Sequence, residues 1–155
     1  MARPARPASA GALLLVLAAL AGCGGDSSEN TAYVDQVNAA QAEFAATVSQ
    51  VSREITSTSS AREDQRTLAR FEGAIDGVVG DLRRIDVPTD VRPEHDRLVS
   101  AMTGFGDDIE VANAALRRPS RRTLADAQRT ISRATMTVNS RINAAIGAIN
   151  DKLGV

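Results

Sequence analysis

From residue 34 onward, apolar residues recur at steps of three and four, a spacing that confines them to one stripe of a helix. The first stripe is Val34, Val37, Gln41, Phe44, Val48, Val51 and Ile55, with Gln41 its one polar member. Leu68, Phe71, Ile75, Val78, Leu82 and Ile85 make a second. Val91, His95, Leu98, Met102, Phe105, Ile109, Ala112 and Leu116 make a third, and Leu124, Ile131, Thr135, Val138, Ile142, Ala145, Ile149 and Leu153 a fourth. No segment alternates apolar and polar residues as a half-buried strand does. Four such helices on short loops bury their stripes by packing antiparallel in sequence. The expected fold is therefore all-α, an antiparallel up-down-up-down four-helix bundle over residues 31–155.

The breaks between stripes carry their own chemistry. After a loop at Thr56-Ser57-Thr58-Ser59, the run Ser60-Ala61-Arg62-Glu63 reads as a capping box, in which Ser60 and Glu63 satisfy free N–H groups at a helix start. Val87-Pro88 stops the second helix, because proline pushes the preceding residue out of the helical region. A third helix is expected from near Thr89, with Pro93 tolerated in the first turn where no N–H is needed. Pro119-Ser120 separates the third helix from the fourth.

Residues equidistant from an antiparallel turn face each other. Phe44 and Phe71 are balanced about a point between Ser57 and Thr58, and Phe71 and Phe105 about Pro88. The three rings are expected in one core layer with Ile131 opposite. The same register places His95 near Leu82, Ile142 and Tyr33, at the end of the bundle where the chain enters it.

At 155 residues the chain is one domain. Its one Cys and one His leave no disulfide within the chain and no site built from several Cys or His ligands. With 18 basic against 19 acidic residues it has no excess charge for nucleic acid, so no nucleic-acid partner is expected.

The N-terminus does not belong to the bundle. Arg3 and Arg6 precede an apolar run from Gly11 to Leu20, far shorter than the ~20 residues of a membrane-spanning helix. The run ends in Leu20-Ala21-Gly22-Cys23, which resembles the lipobox of bacterial lipoproteins, where a diacylglyceryl group is attached to the Cys thiol and the chain is cut just before it. The resemblance implies a signal peptide over 1–22, lipidation at Cys23, and a location on the extracytoplasmic face of the cell membrane. Ala19-Leu20-Ala21 also satisfies the small-x-small rule for an ordinary secreted protein cut before Gly22. Two or three acyl chains, at ~0.8 kcal/mol per buried methylene, hold a protein stably on a membrane. Loss of residues 1–22, with Arg3 and Arg6, leaves 133 residues with 16 basic and 19 acidic side chains. Residues 23–30 then read as the lipidated Cys and a polar tether whose reach past Cys23 is about 25 Å.

His95, on an inward stripe, is the natural place to look for a cofactor. A bundle with an inward His resembles the four-helix haem cytochromes, but those take ligands from the first and last helices, and the last helix here has no His. Di-iron bundles need a Glu-x-x-His pair on each of two helices, which one His cannot supply. Neither a metal nor a cofactor is expected, and His95 reads as an interior residue bonded to Tyr33 or a nearby carbonyl. No phosphate-binding glycine loop is present, and nothing marks a Ser or Thr as an activated nucleophile, so the chain reads as non-enzymatic.

Two surface features remain. Gly73 and Gly77, with Gly80 beyond, form a Gly-x-x-x-Gly on the back of the second stripe; close helix approach competes there with a helix simply weakened by glycine. Arg117, Arg118, Arg121 and Arg122 cluster around the third loop. Arg117 and Arg118 suit a helix C-terminus, whereas Arg121 and Arg122 oppose the dipole of the helix they open. They form a candidate patch for an envelope protein or anionic polymer, against the simpler reading of a solvated loop.

As a whole the chain resembles small Ala- and Arg-rich helical lipoproteins of high-GC Gram-positive bacteria, through the lipobox and the passage Leu82-x-x-Ile85-x-x-Pro88 to His95. The resemblance implies a membrane-anchored binding or scaffolding module and names no active residue. A large cavity between helices would instead favour a carrier of a hydrophobic ligand or haem, clustered buried carboxylates an unrecognised hydrolase, and a solid core with only surface patches the binding or scaffolding module.

Overall fold

The computed structural model describes residues 27–54, 60–118 and 120–155. The expected signal segment, Cys23 and the loop expected at Thr56–Ser59 lie outside the described residues. Four helices, α1 (Ser27–Glu54), α2 (Ala61–Arg84), α3 (Arg92–Leu116) and α4 (Arg121–Leu153), form an all-α bundle, with a 3-10 turn over Thr89–Val91 leading into α3. Among the described residues there is no strand.

Local sequence explains most of the helix ends. Ser60 accepts from the Glu63 N–H at 3.3 Å while its own N–H donates to Glu63 Oε2 at 2.8 Å, the expected capping box. Ser120 forms a second box with Thr123, whose hydroxyl takes the place of a Glu or Gln carbonyl, so the usual sequence pattern does not reveal it. Pro93 occupies the first turn of α3, as expected. At the far end, Gly154 closes α4 in the left-handed region at φ 70°, its N–H donating to Asn150 O.

Two boundaries depart from the sequence reading. Helix α1 begins at Ser27, so residues 27–30, expected within the tether, are helical, and Gly24, Gly25 and Asp26 alone separate Cys23 from it. Glu29 in its first turn favours that earlier start through the helix dipole. Helix α2 ends at Arg84 rather than at Val87, with Ile85 already extended. Val87 is buried, so the connection packs against the core and needs extended residues to reach it.

The stripes of α2 and α3 match their buried faces. Leu68, Phe71, Ile75, Val78 and Leu82 are buried on α2, and Val91, His95, Leu98, Met102, Phe105, Ile109, Ala112 and Leu116 on the turn and α3. On α1 and α4 the buried faces are rotated from the stripes. Helix α1 buries Tyr33, Val37 and Ala40, and leaves Val34, Phe44, Val48 and Val51 partly buried. Helix α4 buries Ala127, Ala134, Val138, Ala145 and Ile149, leaves Ile131, Ile142 and Leu153 partly buried, and exposes Leu124 to 41%. Of the larger partly buried side chains of α4, Ile142 borders the same gap as Ala40 and Phe44 of α1.

Side-chain pairs link successive helices, and between α2 and α3 they run in opposite directions. Glu54 meets Thr67 and Arg70 where α1 ends and α2 starts. Asn113 reaches Glu72, and Arg83 reaches Thr103, between α2 and α3. Lys152 meets Asp90 and Glu94 between the end of α4 and the start of α3. Phe44, Phe71 and Phe105 form one layer, with ring centroids 6.3, 6.0 and 5.8 Å apart for the pairs 44–71, 44–105 and 71–105. The layer therefore exists, but Phe44 is partly buried where full burial was expected, because α4 does not close over it.

Candidate functional site

Helix α1 packs on α2 and α4 on α3, whereas α1 and α4 do not pack closely on each other. The gap between them is a narrow, solvent-open cleft with a cavity volume of about 40 Å³. Core side chains of α2 and α3, Val78, Leu82, Leu98 and Met102, contribute to its wall. Ala40, Gln41 and Phe44 line it from α1, and Asn139, Ile142 and Asn143 from α4. The lining is thus apolar with three amides: Gln41 and Asn139 half-buried and Asn143 exposed. Such a lining desolvates an apolar group and orients a polar one at its rim. The sequence stripes contained Gln41, Phe44 and Ile142 but gave no sign that they border a gap. Ala40, Asn139 and Asn143 lay off the stripes altogether.

Next to this cleft lies a buried polar side chain, His95. His95 is 3% exposed. Its Nε2 lies 3.0 Å from Leu82 O, which can only accept, so Nε2 carries the proton. Nδ1 is then the acceptor for the Tyr33 hydroxyl at 3.2 Å. Burial holds the imidazole below its ordinary pKa, against the stabilising effect of the Leu82 carbonyl, and keeps it neutral. Tyr33 is pushed up to about 12, first by burial and then by the negative charge of Glu94. Both ring nitrogens are committed, so an iron or zinc ion could bind His95 only by displacing one of these partners.

Glu94 is also buried, and Lys152 Nζ donates to its Oε2 at 2.9 Å and to Asp90 O at 2.8 Å. Arg97 lies 3.4 Å from the other carboxylate oxygen. The Lys152 hydrogen bond, opposed by desolvation, keeps the Glu94 carboxyl below its ordinary range. Neither partner stood out in the sequence, although Lys152 is the one lysine of the chain. These contacts fasten the end of α4 to the start of α3. They are paired rather than poised for proton transfer, and among the described residues no three His, Cys, Asp or Glu side chains are placed to hold a metal ion.

Arg117, Arg118, Arg121 and Arg122 are all exposed, at the opposite end of the bundle from His95. Arg117 is the C-cap of α3, and Arg121 and Arg122 are the first residues of α4. Gly73 and Gly77 are exposed, and a Cβ added to either would meet nothing within 4 Å, so no helix lies on them. The close approach is instead at buried Gly106, where a Cβ would sit 3.3 Å from Ile75 Cγ2. No helix among the described residues is long and apolar enough to cross a membrane. Comparison with protein-family models, with curated proteins and with solved structures gave no match.

Proposed function

We propose that this chain is a lipoprotein, tethered through Cys23 to the extracytoplasmic face of the cell membrane, whose up-down-up-down bundle acts as a non-enzymatic binding module. The opposed residue pairings between α2 and α3 support the topology, and the lipobox resemblance supports the anchor. The observation that carries the binding role is the α1–α4 cleft, apolar within and bordered by the amides of Gln41, Asn139 and Asn143. A site of that shape takes a slim apolar group with a hydrogen-bonding head, such as an alkyl chain or an apolar side chain of a partner.

The test uses the full chain and a dansyl-labelled undecanoic acid, whose fluorescence rises on leaving water. Saturable binding is expected, together with its loss in Asn139→Phe, which fills the cleft from a half-buried position without cutting into the core. Absence of saturable binding, or equal binding in the filled variant, would remove the cleft as the functional site.

A further inference from the structure

We infer that the end of the bundle formed by the α3–α4 connection is a docking surface for a phosphodiester-bearing polymer of the cell envelope, bound by Arg117, Arg118, Arg121 and Arg122. All four side chains are exposed, and none forms an ion pair among the described residues. Several nearby carboxylates are committed elsewhere. Glu54 is held by Gln50, Thr67 and Arg70, Glu63 by the Ser60 cap, Asp126 by Arg129, and Asp64 is likewise engaged. Arg53, Arg62 and Arg66, also exposed, add to the positive charge of this end. A chain whose composition is slightly acidic therefore presents a basic tip.

Fold stability does not account for the arrangement. Arg121 and Arg122 open α4, whose first turn has no acidic residue, so their charge adds unfavourably to the positive end of the helix dipole. An anion brought to that point is attracted by the arginines and the dipole together. Guanidinium groups match phosphate oxygens in paired hydrogen bonds, which favours phosphodiesters over isolated carboxylates.

The surroundings favour a polymer over a folded protein or the anchoring membrane. Stable protein interfaces have a desolvated apolar centre, and here, among the described residues, Leu124, 41% exposed, is the one large exposed apolar residue beside the cluster. The tip also lies ~42 Å, the length of α1, from the end that follows Cys23. The headgroups of the anchoring membrane are therefore at the opposite end of the molecule. That the polymer belongs to the envelope rests on the extracytoplasmic reading; the binding chemistry does not.

The test is capture of the full chain from detergent solution on bead-bound poly(glycerol phosphate). The expected result is binding that weakens on the order of tenfold when salt rises from about 50 to about 200 mM. It should be lost in the quadruple Arg→Ser variant at 117, 118, 121 and 122, with the helical circular-dichroism signal and melting curve kept. Arg84→Ser/Arg141→Ser, which removes two exposed arginines elsewhere, should leave it unchanged. Equal loss in both variants, retention in the quadruple variant, or no binding at all would overturn the proposal. Tighter binding to poly-glutamate would reassign the surface to an acidic protein, and tighter binding to phosphatidylglycerol vesicles would reassign it to a membrane; either result refutes the polymer.

Discussion

The hydroxyl of Tyr33 on α1 donates to Nδ1 of His95 on α3 across 3.2 Å, while the opposite ring nitrogen of His95 donates to Leu82 O on α2. One imidazole thus joins three helices, and it can do so as a neutral ring because its two nitrogens have opposite roles. The tie would hold whether or not the protein binds a ligand.

This arrangement makes stability depend on pH in a defined window. Burial lowers the His95 pKa from 6.5, so the unfolded chain takes up the proton first as pH falls. The stabilisation is complete above about pH 6.5 and is lost below it, at no more than about 1.4 kcal/mol per pH unit. Glu94, held below 4.5 by Lys152, contributes stability that is lost only at lower pH, as the medium passes its depressed pKa. Urea unfolding of the wild type and His95→Gln at about pH 7.5 and 5.5 should show the steeper loss in the wild type. The Gln variant should be about 1–2 kcal/mol less stable at the higher pH, because Gln replaces one hydrogen bond and not both. Parallel pH profiles would contradict the neutral, buried imidazole.

Truncation of the aromatic layer should be graded by burial. Phe71→Ala and Phe105→Ala, each from a ring 5% exposed, should lower the unfolding free energy by about 3–5 kcal/mol. Phe44→Ala should cost about 1–2 kcal/mol, since its ring already borders the cleft and leaves less of a void. Chemical denaturation of the three variants decides this; equal losses would mean that α4 covers Phe44 in solution.

Glycine substitutions should separate by position. Gly73→Ala and Gly77→Ala, on an open helix face, should each stabilise the protein by about 0.5–1 kcal/mol. Gly106→Ala should instead destabilise it, because the added methyl, 3.3 Å from Ile75 Cγ2, forces that fully buried side chain to shift. Thermal melts of the single variants provide the comparison, and a stabilising Gly106→Ala would show that the interface yields.

Among the described residues Asn113 leaves its Oδ1 buried without a hydrogen-bond partner, while its Nδ2 reaches Glu72 at 3.4 Å. Asn113→Leu removes the unpaired acceptor while keeping the branching and number of side-chain heavy atoms, and half-buried Glu72 keeps access to water. A gain of about 1 kcal/mol is expected in denaturant unfolding. A loss of that size would mean that the side chain has a polar partner in solution.

Replacing Cys23 with Ala should leave an unprocessed precursor or release the protein from membranes, as judged by fractionation and by the intact mass of the purified chain. A mature, detergent-extracted protein carrying an acyl mass in the variant would refute lipidation at that thiol.

The number of helices, the Ser60 cap, the breaks around Pro88 and Pro119, and the aromatic layer were legible in the sequence, because they follow from spacing, local hydrogen bonding and the symmetry of a hairpin. The stripes of α2 and α3 were equally legible, since each of these helices is packed on two sides and must bury its apolar residues. Those of α1 and α4 were not, because a helix packed chiefly against one neighbour chooses its buried face by closeness of fit. Alanines 40, 127, 134 and 145 win that choice over larger residues such as Phe44, Ile131 and Ile142. The pairing of Lys152 with Glu94 spans 58 residues of sequence, and the close approach at Gly106 depends on a side chain of another helix, so neither has a local signature. Periodicity fixes which residues can be buried along one helix; it carries no information about the rotation of that helix against its neighbours, and that rotation is what opens the cleft.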